Sequence, residues 1–116
     1  MSKELLKILK ALADENRIRI LNLLNGKKLC VCELEESLDL SQTNVSRHLN
    51  KLKEAGILQS EKMAQFVLHF IDPEILRKYS FLGQLLDQIQ RVDKFQDDRE
   101  KLDAIAAKKG LHCECK

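Results

Sequence analysis

Tryptophan is absent from this 116-residue chain, and the aromatic residues amount to one tyrosine and four phenylalanines. The core must therefore be aliphatic. Leucine and isoleucine supply most of its apolar mass, and a single proline interrupts it, which suits packed helices. No apolar run approaches the length of a membrane span, and no signal peptide is visible, so a cytoplasmic protein is expected. A strong excess of one charge is also missing. The net charge is only +2, which excludes a generic polycation. No Gly-rich phosphate loop, Ser/His/Asp set or paired catalytic carboxylates stand out, so an enzyme is not expected. Cys-x-x-Cys is absent too, which argues against thioredoxin-type chemistry. A chain this short buries limited surface, so a dimer would help it.

Charge is more informative in its distribution. Residues 1–28 carry seven Lys/Arg against three acids, and residues 29–40 carry four acids and no base. Residues 41–62 carry four bases against two acids, and the remainder balances at nine each. A nucleic-acid face therefore belongs to the first half, with affinity set by placement rather than bulk charge.

Periodicity gives the order of elements. Leu5, Leu6, Ile8, Leu9 and Leu12 form one stripe, which predicts a helix from Lys3 to Ala13. Asp14 caps a second helix carrying Ile18, Ile20, Leu21, Leu23 and Leu24, with Gly26 just past its end. A short third helix runs from Val31 to Leu38. Ser41 caps a fourth, in which Val45, Leu49 and Leu52 recur, and Gly56 stops it. Two extended runs follow, Leu58–Glu61 and Phe66–Ile71, joined by a tight turn at "MAQ". Asp72-Pro73 reads as N-cap and first helical residue. Ile75, Tyr79, Leu82, Leu86 and Ile89 continue at helical spacing. Of these, Ile75, Leu82, Leu86 and Ile89 are expected, with the first helix, at the interface of a homodimer, because both stripes are too long for one small core to cover. The stripe weakens at "QDDRE", 96–100, and returns at Leu102 and Ile105. One helix from 74 to 109 would be about 50 Å long, so a bend near 91–98 is expected, with Gly110 as the stop. The fold class is mostly α with a small β-hairpin, in the order α-α-α-α-β-β-α(-α). It divides into a domain over 1–110 and a cysteine-containing tail over 111–116.

Helices three and four are joined by the short turn "DLSQ", which is helix-turn-helix spacing. The fourth helix offers Gln42, Thr43, Asn44, Ser46, Arg47, His48 and Lys51. These side chains suit bases and phosphates, and in such motifs the second helix enters the major groove. An ordinary solvated helix would look similar, but the hairpin that follows stands where a wing would stand.

The runs "ALADENRIRILNLL", "LCVCEL" and "LSQTNVSRHLNKLKEAGIL" together resemble the ArsR/SmtB winged-helix repressors. The resemblance covers roughly Leu9 to Ile71. It implies a winged helix-turn-helix homodimer that leaves double-stranded operator DNA when a metal or metalloid binds. It places Ser41, Gln42, Ser46, Arg47 and His48 at the family's DNA-contact positions. The wing departs from the family, whose tip is Gly- and Arg-rich; "SEKMAQF" offers only Lys62.

Four cysteines occur as two Cys-x-Cys pairs, Cys30/Cys32 and Cys113/Cys115. In a reducing compartment these are expected as thiols. A lone cysteine is commonly a small buried hydrophobe, but two such pairs in one chain point to soft-ion ligation. "LCVC" resembles the family's inducer motif at the start of the third helix. One branch places a third cysteine three residues on, where this chain has Glu35, so further thiolates would have to come from the tail. Positions i and i+2 diverge on a regular helix or strand, so both sulfurs reach one ion only where the backbone is irregular. The dipole at the helix start, with Lys27 and Lys28 nearby, should favour thiolates. Cys30, Cys32 and one of Cys113 or Cys115 would suit As(III) or Sb(III). All four would suit Cd(II), Pb(II) or Zn(II). His112 is more simply a tail histidine than a ligand. The acidic and histidine set by which zinc-sensing members bind metal looks absent. Redox or persulfide sensing, through a bond between one of Cys30/Cys32 and a tail cysteine, is the alternative.

Overall fold

The second helix is the centre around which the chain is built. The structure is a computed structural model and describes residues 2–109. Helix α1 spans Lys3–Leu12, α2 Glu15–Leu24, α3 Val31–Leu38 and α4 Gln42–Glu54. Residues 20–24 of α2 are all buried. A helix end that is apolar nearly all round must be covered on every side, and α1, α3, α4, β2, α6 and α7 all pack on it. Asp14 caps α2 by accepting from the Arg17 N–H at 3.1 Å.

The helix-turn-helix follows from local chemistry. Asp39 ends α3 in the left-handed region (φ 55°), and the Ser41 hydroxyl accepts from the Asn44 N–H at 3.2 Å to start α4. Gly56, at φ +81°, closes α4. Strands β1 (Leu58–Met63) and β2 (Phe66–Ile71) pair antiparallel, from Leu58 opposite Ile71 to Met63 opposite Phe66. The turn is therefore the two residues Ala64 and Gln65, and Met63 belongs to the strand. This is the helix-turn-helix and wing that the sequence predicts. Leu29 exchanges backbone hydrogen bonds with His69, at 3.0 and 2.7 Å. The residue before Cys30 is thus stitched to the wing.

Three helices follow the wing, not one or two: α5 (Pro73–Lys78), α6 (Ser80–Gln90) and α7 (Asp93–Lys109). Tyr79, with φ −123° and ψ 90°, breaks α5 from α6. Its hydroxyl donates to Glu4 at 2.6 Å, which ties the break to α1. The expected bend is confined to residues 91–92; residues 93–98 are already helical. "QDDRE" weakens the apolar stripe because Asp98 occupies a core-facing position between Phe95 and Leu102. Its carboxylate is only 4% exposed and is gripped by Arg19, with Nε–Oδ2 2.8 Å and Nη2–Oδ1 3.0 Å. The same Arg19 donates to the carbonyl of Leu38, at 2.9 Å, and to Asn16. Asn22 Nδ2 donates to the Phe95 carbonyl at 2.9 Å.

These contacts fix the direction of α7. Asp98 meets the end of α3 through Arg19, while Asp103 pairs with Lys27, ahead of α3, at 3.6 Å. α7 therefore runs antiparallel to α3, and its last turn points toward Cys30. Ile75, Leu82, Leu86 and Ile89, expected at a dimer interface, lie instead in the protomer's own core, at 4–7% exposure. Among the described residues, the large apolar side chains left exposed are Leu6 and Leu9 of α1, Val92 at the bend between α6 and α7, and Met63 and Val67 on the wing. No helix among the described residues is long and apolar enough to cross a membrane.

Asp98→Ala should lower stability by about 2–3 kcal/mol, because it strands a guanidinium held among three partners. Urea unfolding should show a lower midpoint at unchanged slope. A double-mutant cycle with Arg19→Met should show strong coupling; additive losses would mean the pair does not act as one unit.

Candidate nucleic-acid interface and sulfur pair

Helix α4 divides cleanly into two faces. Val45, Leu49 and Leu52 are fully buried, while Gln42, Thr43, Asn44, Arg47, Asn50 and Lys51 are exposed. Ser46 is half-buried, and Ser41 is exposed as the cap. Gln42, Thr43, Ser46, Arg47, Asn50 and Lys51 line one open hollow of about 570 Å³. Arg47 reaches back toward Asn44 Oδ1 at 3.4 Å, a long contact that leaves the guanidinium available. Asn50 belongs to this face and was missed in the sequence, although it stands three residues beyond Arg47.

His48 is a correction. It was expected among the exposed readers but is only 3% exposed. It lies three residues after Val45 and four before Leu52, on the apolar face, a spacing that was legible. Its Nδ1 sits 3.9 Å from Asp14 Oδ1, so the ring braces α4 against the start of α2. Lys62 is exposed on the wing.

The sulfur pair sits where a regular helix has not yet begun. Cys30 is the N-cap of α3, with extended backbone (φ −93°, ψ 168°), and Cys32 lies in the first turn. That irregularity brings the two Sγ atoms to 3.5 Å, too far for a bond between them, which needs about 2.05 Å. Two sulfurs about 2.3 Å from one ion lie about 3.3–3.8 Å apart, for bond angles between 90° and tetrahedral. The spacing therefore fits a shared ion. Cys30 is 2% exposed. Its N–H donates to Glu33 Oε1 at 3.0 Å, and its Sγ lies 3.1 Å from the same oxygen.

Two expectations about the surroundings change. Lys27 and Lys28 do not face the sulfurs: Lys27 pairs with Asp103, and Lys28 pairs with Glu61 at 2.9 Å and lies over the Phe70 ring. The charged neighbour of Cys30 is the buried Glu33 carboxylate, only 1% exposed. Among the described residues no group of three or more His, Cys, Asp or Glu is placed to hold a metal. His112, Cys113 and Cys115 lie outside the described residues.

A small cleft of about 110 Å³ opens beside the pair. Cys30, Cys32 and Glu35 form one wall, Gln42 at the first turn of α4 another, and Gln65, Phe66 and Val67 of the wing the third. The sulfur pair, the first turn of α4 and the wing thus share one space.

Burial strips water from two histidines behind this face. It lowers the pKa of His69 to about 4, with Lys53 adding repulsion, and it also lowers that of His48 against the pull of Asp14. Both rings bind protons more readily when unfolded. Stability is therefore complete above about pH 6.5 and falls as pH drops through 6.5 toward 4. His69 alone should cost about 3 kcal/mol over that window. His69→Gln should flatten the dependence of the urea midpoint on pH; an unchanged slope would contradict a neutral, buried ring.

The chain matches known proteins over the same region. Residues 14–60 match the family described as "Bacterial regulatory protein, arsR family". The arsenical resistance operon repressor of Escherichia coli is 36% identical over 101 residues, covering 86% of this chain and 80% of that protein. An arsenic resistance transcriptional regulator of Pseudomonas putida is 45% identical over 69 residues, covering 59% of this chain and 54% of that protein. A cadmium resistance transcriptional regulatory protein of Listeria innocua is 41% identical over 63 residues, or 53% of each chain. The matched region thus spans about half the length of the last two relatives. Among solved structures, reduced HlyU from Vibrio cholerae is 35% identical with a TM-score of 0.60, covering 71% of this chain and 87% of that one.

Proposed function

The chain belongs to the arsR family of bacterial regulatory proteins, and from that premise we propose a homodimeric repressor that reads operator DNA through α4 and releases it when its cysteines capture As(III) or Sb(III). The observation that carries this reading is the shared cleft. An ion on Cys30 and Cys32 would lie against Gln42 and the wing tip, so capture and DNA release need no long pathway.

Gln42, Thr43, Asn44, Ser46 and Arg47 enter the major groove, and Arg47 is the strongest candidate for a bidentate base contact. Ser41, Lys51 and Lys62 serve phosphates. His48 acts from inside, holding α4 in place. Two protomers associate through the apolar residues left outside the core, Leu6 and Leu9 of α1 and Val92 beside α7. A two-fold dimer then meets two half-sites.

The third thiolate comes from the tail. Asp103 lies level with Lys27, and Lys109 is about 9 Å further along the helix. Residues 111–115 add up to about 17 Å, which allows Cys113 or Cys115 to reach the pair. Making a thiolate at Cys30 sets a negative sulfur beside Glu33. That repulsion loosens the first turn of α3, next to the reading helix. The names of the relatives favour arsenic, with cadmium second. A Cys₄ set for Cd(II), Pb(II) or Zn(II), and sulfur oxidation, are the competing inducers.

Fluorescence anisotropy with the protein's own promoter DNA tests the proposal. As(III) should release the wild type and leave Cys30→Ser/Cys32→Ser bound. Coupling of 1–3 kcal/mol predicts a 5–150-fold loss of DNA affinity. Release of the double variant by As(III) or Cd(II) would place the site elsewhere, and release by oxidant alone would favour the redox reading. Arg47→Ala should weaken the operator complex by about 1–3 kcal/mol with the fold intact; unchanged binding would mean α4 is not the reader.

A further inference from the structure

A second hollow, of about 320 Å³, opens beyond the reading face of α4, between α4 and α1. Lys7 and Lys10 of α1, Arg17 of α2 and Lys51 of α4 line it, with Glu54 as the one acid. Arg17 is partly spoken for: its Nε donates to the Ala11 carbonyl at 2.7 Å and its Nη2 lies 3.9 Å from Asp14. Among the described residues, Lys7, Lys10 and Lys51 enter no ion pair. By contrast Lys27, Lys28, Lys78 and Lys94 are each matched with a carboxylate. Lys3, Lys53, Lys62 and Lys101 likewise enter no ion pair among the described residues, so it is the gathering of Lys7, Lys10 and Lys51 with Arg17 around one hollow that marks this place.

Lys51 lines both hollows, so the basic surface continues the reading face without a gap. From Thr43 to Lys51 is eight residues, or about 12 Å of helix. The major groove is about 12 Å wide. When the first turn of α4 meets base edges, Lys51 and the lysines beyond it therefore stand at the groove's rim, where the phosphates are.

We propose that Lys7, Lys10 and Lys51 form an anion site that holds backbone phosphates at the rim of the groove read by α4. Lys7 and Lys10 stand one helical turn apart on α1, and Lys10 lies one turn beyond Leu6, so the basic hollow borders the exposed Leu6 and Leu9 stripe. Glu54 limits the attraction and keeps the site from binding polyanions indiscriminately. The site adds affinity and orientation but no sequence information, since phosphates carry none. It rests on the reading of the chain as a DNA-binding regulator.

The test is the salt dependence of operator affinity for the wild-type dimer, Lys7→Gln/Lys10→Gln and the charge-preserving Lys7→Arg/Lys10→Arg. Each neutralised phosphate adds a slope of about −0.9 in log K against log salt. The Gln pair should flatten the slope by about 0.9 for every phosphate it no longer neutralises, which is two to four phosphates per dimer. Its preference for operator over unrelated duplex should stay unchanged, and the Arg pair should keep the wild-type slope. Glu54→Gln should tighten binding to both DNAs. A Gln pair with the wild-type slope overturns the site, as does a loss of operator preference without a slope change. Sedimentation showing the Gln pair as monomers would assign any loss to dimerisation and also overturn it. Wild-type protein that binds no duplex at all overturns the regulator reading and this site with it.

Discussion

One ion pair decides how the last helix lies. α7 is mostly polar, and its apolar stripe is too thin to specify a single way of docking. Asp98 resolves the ambiguity by requiring a cation in the core, and Arg19 of α2 is the cation supplied. The guanidinium fork engages the carboxylate at two points, and bidentate geometry fixes orientation as well as distance. The hydrogen bonds it donates to Asp98 raise the pKa of Arg19 further, so the charge is never in doubt. The same fork holds the last carbonyl of α3. Helices from three parts of the chain are thus indexed to one side chain. Such pairs stabilise little relative to a well-packed apolar substitute, and here the gain is in register: α7 antiparallel to α3, with its end toward Cys30.

This pair also explains where the sequence could and could not be read. Strong local signals were legible: the bounds of α3, the caps at Asp14, Ser41 and Asp72, and strand β2 all stand as the pattern predicts. Each depends on residues adjacent in the chain. Two of the failures involve partners distant in sequence. Asp98 looked like a break in a stripe because a buried carboxylate is indistinguishable from a solvated one until Arg19 is placed beside it. The stripe of Ile75, Leu82, Leu86 and Ile89 looked too long for one small core. It is covered because, past the break at Tyr79, α6 lies back on α2 and α5 packs against α6. His48 was misplaced for a different reason. Its polarity outweighed a spacing that already put it inside.

The sulfur pair shows the same division between local and distant causes. That Cys30 and Cys32 need irregular backbone to converge follows from the spacing alone, and the N-cap conformation supplies it. The charge around them does not follow from the sequence. Lys27 and Lys28 stand next in the chain but find carboxylates on α7 and β1, while Glu33, three residues on, folds back as the true neighbour. The helix start draws negative charge to the sulfurs, and the carboxylate opposes it.

That balance bears on how such a cleft could report. Glu33 holds Cys30 through both N–H and Sγ, so an ion on the sulfur pair, as proposed, would have to displace that contact. Leu29, the residue before the cap, is bonded to His69 of the wing, and Gln42 faces the sulfurs across the cleft. The cap is thus joined to the wing through backbone hydrogen bonds and shares a cleft with the first turn of α4. On the proposed reading a bound ion would need to favour only a small rearrangement, because the wing and α4 both border that same turn.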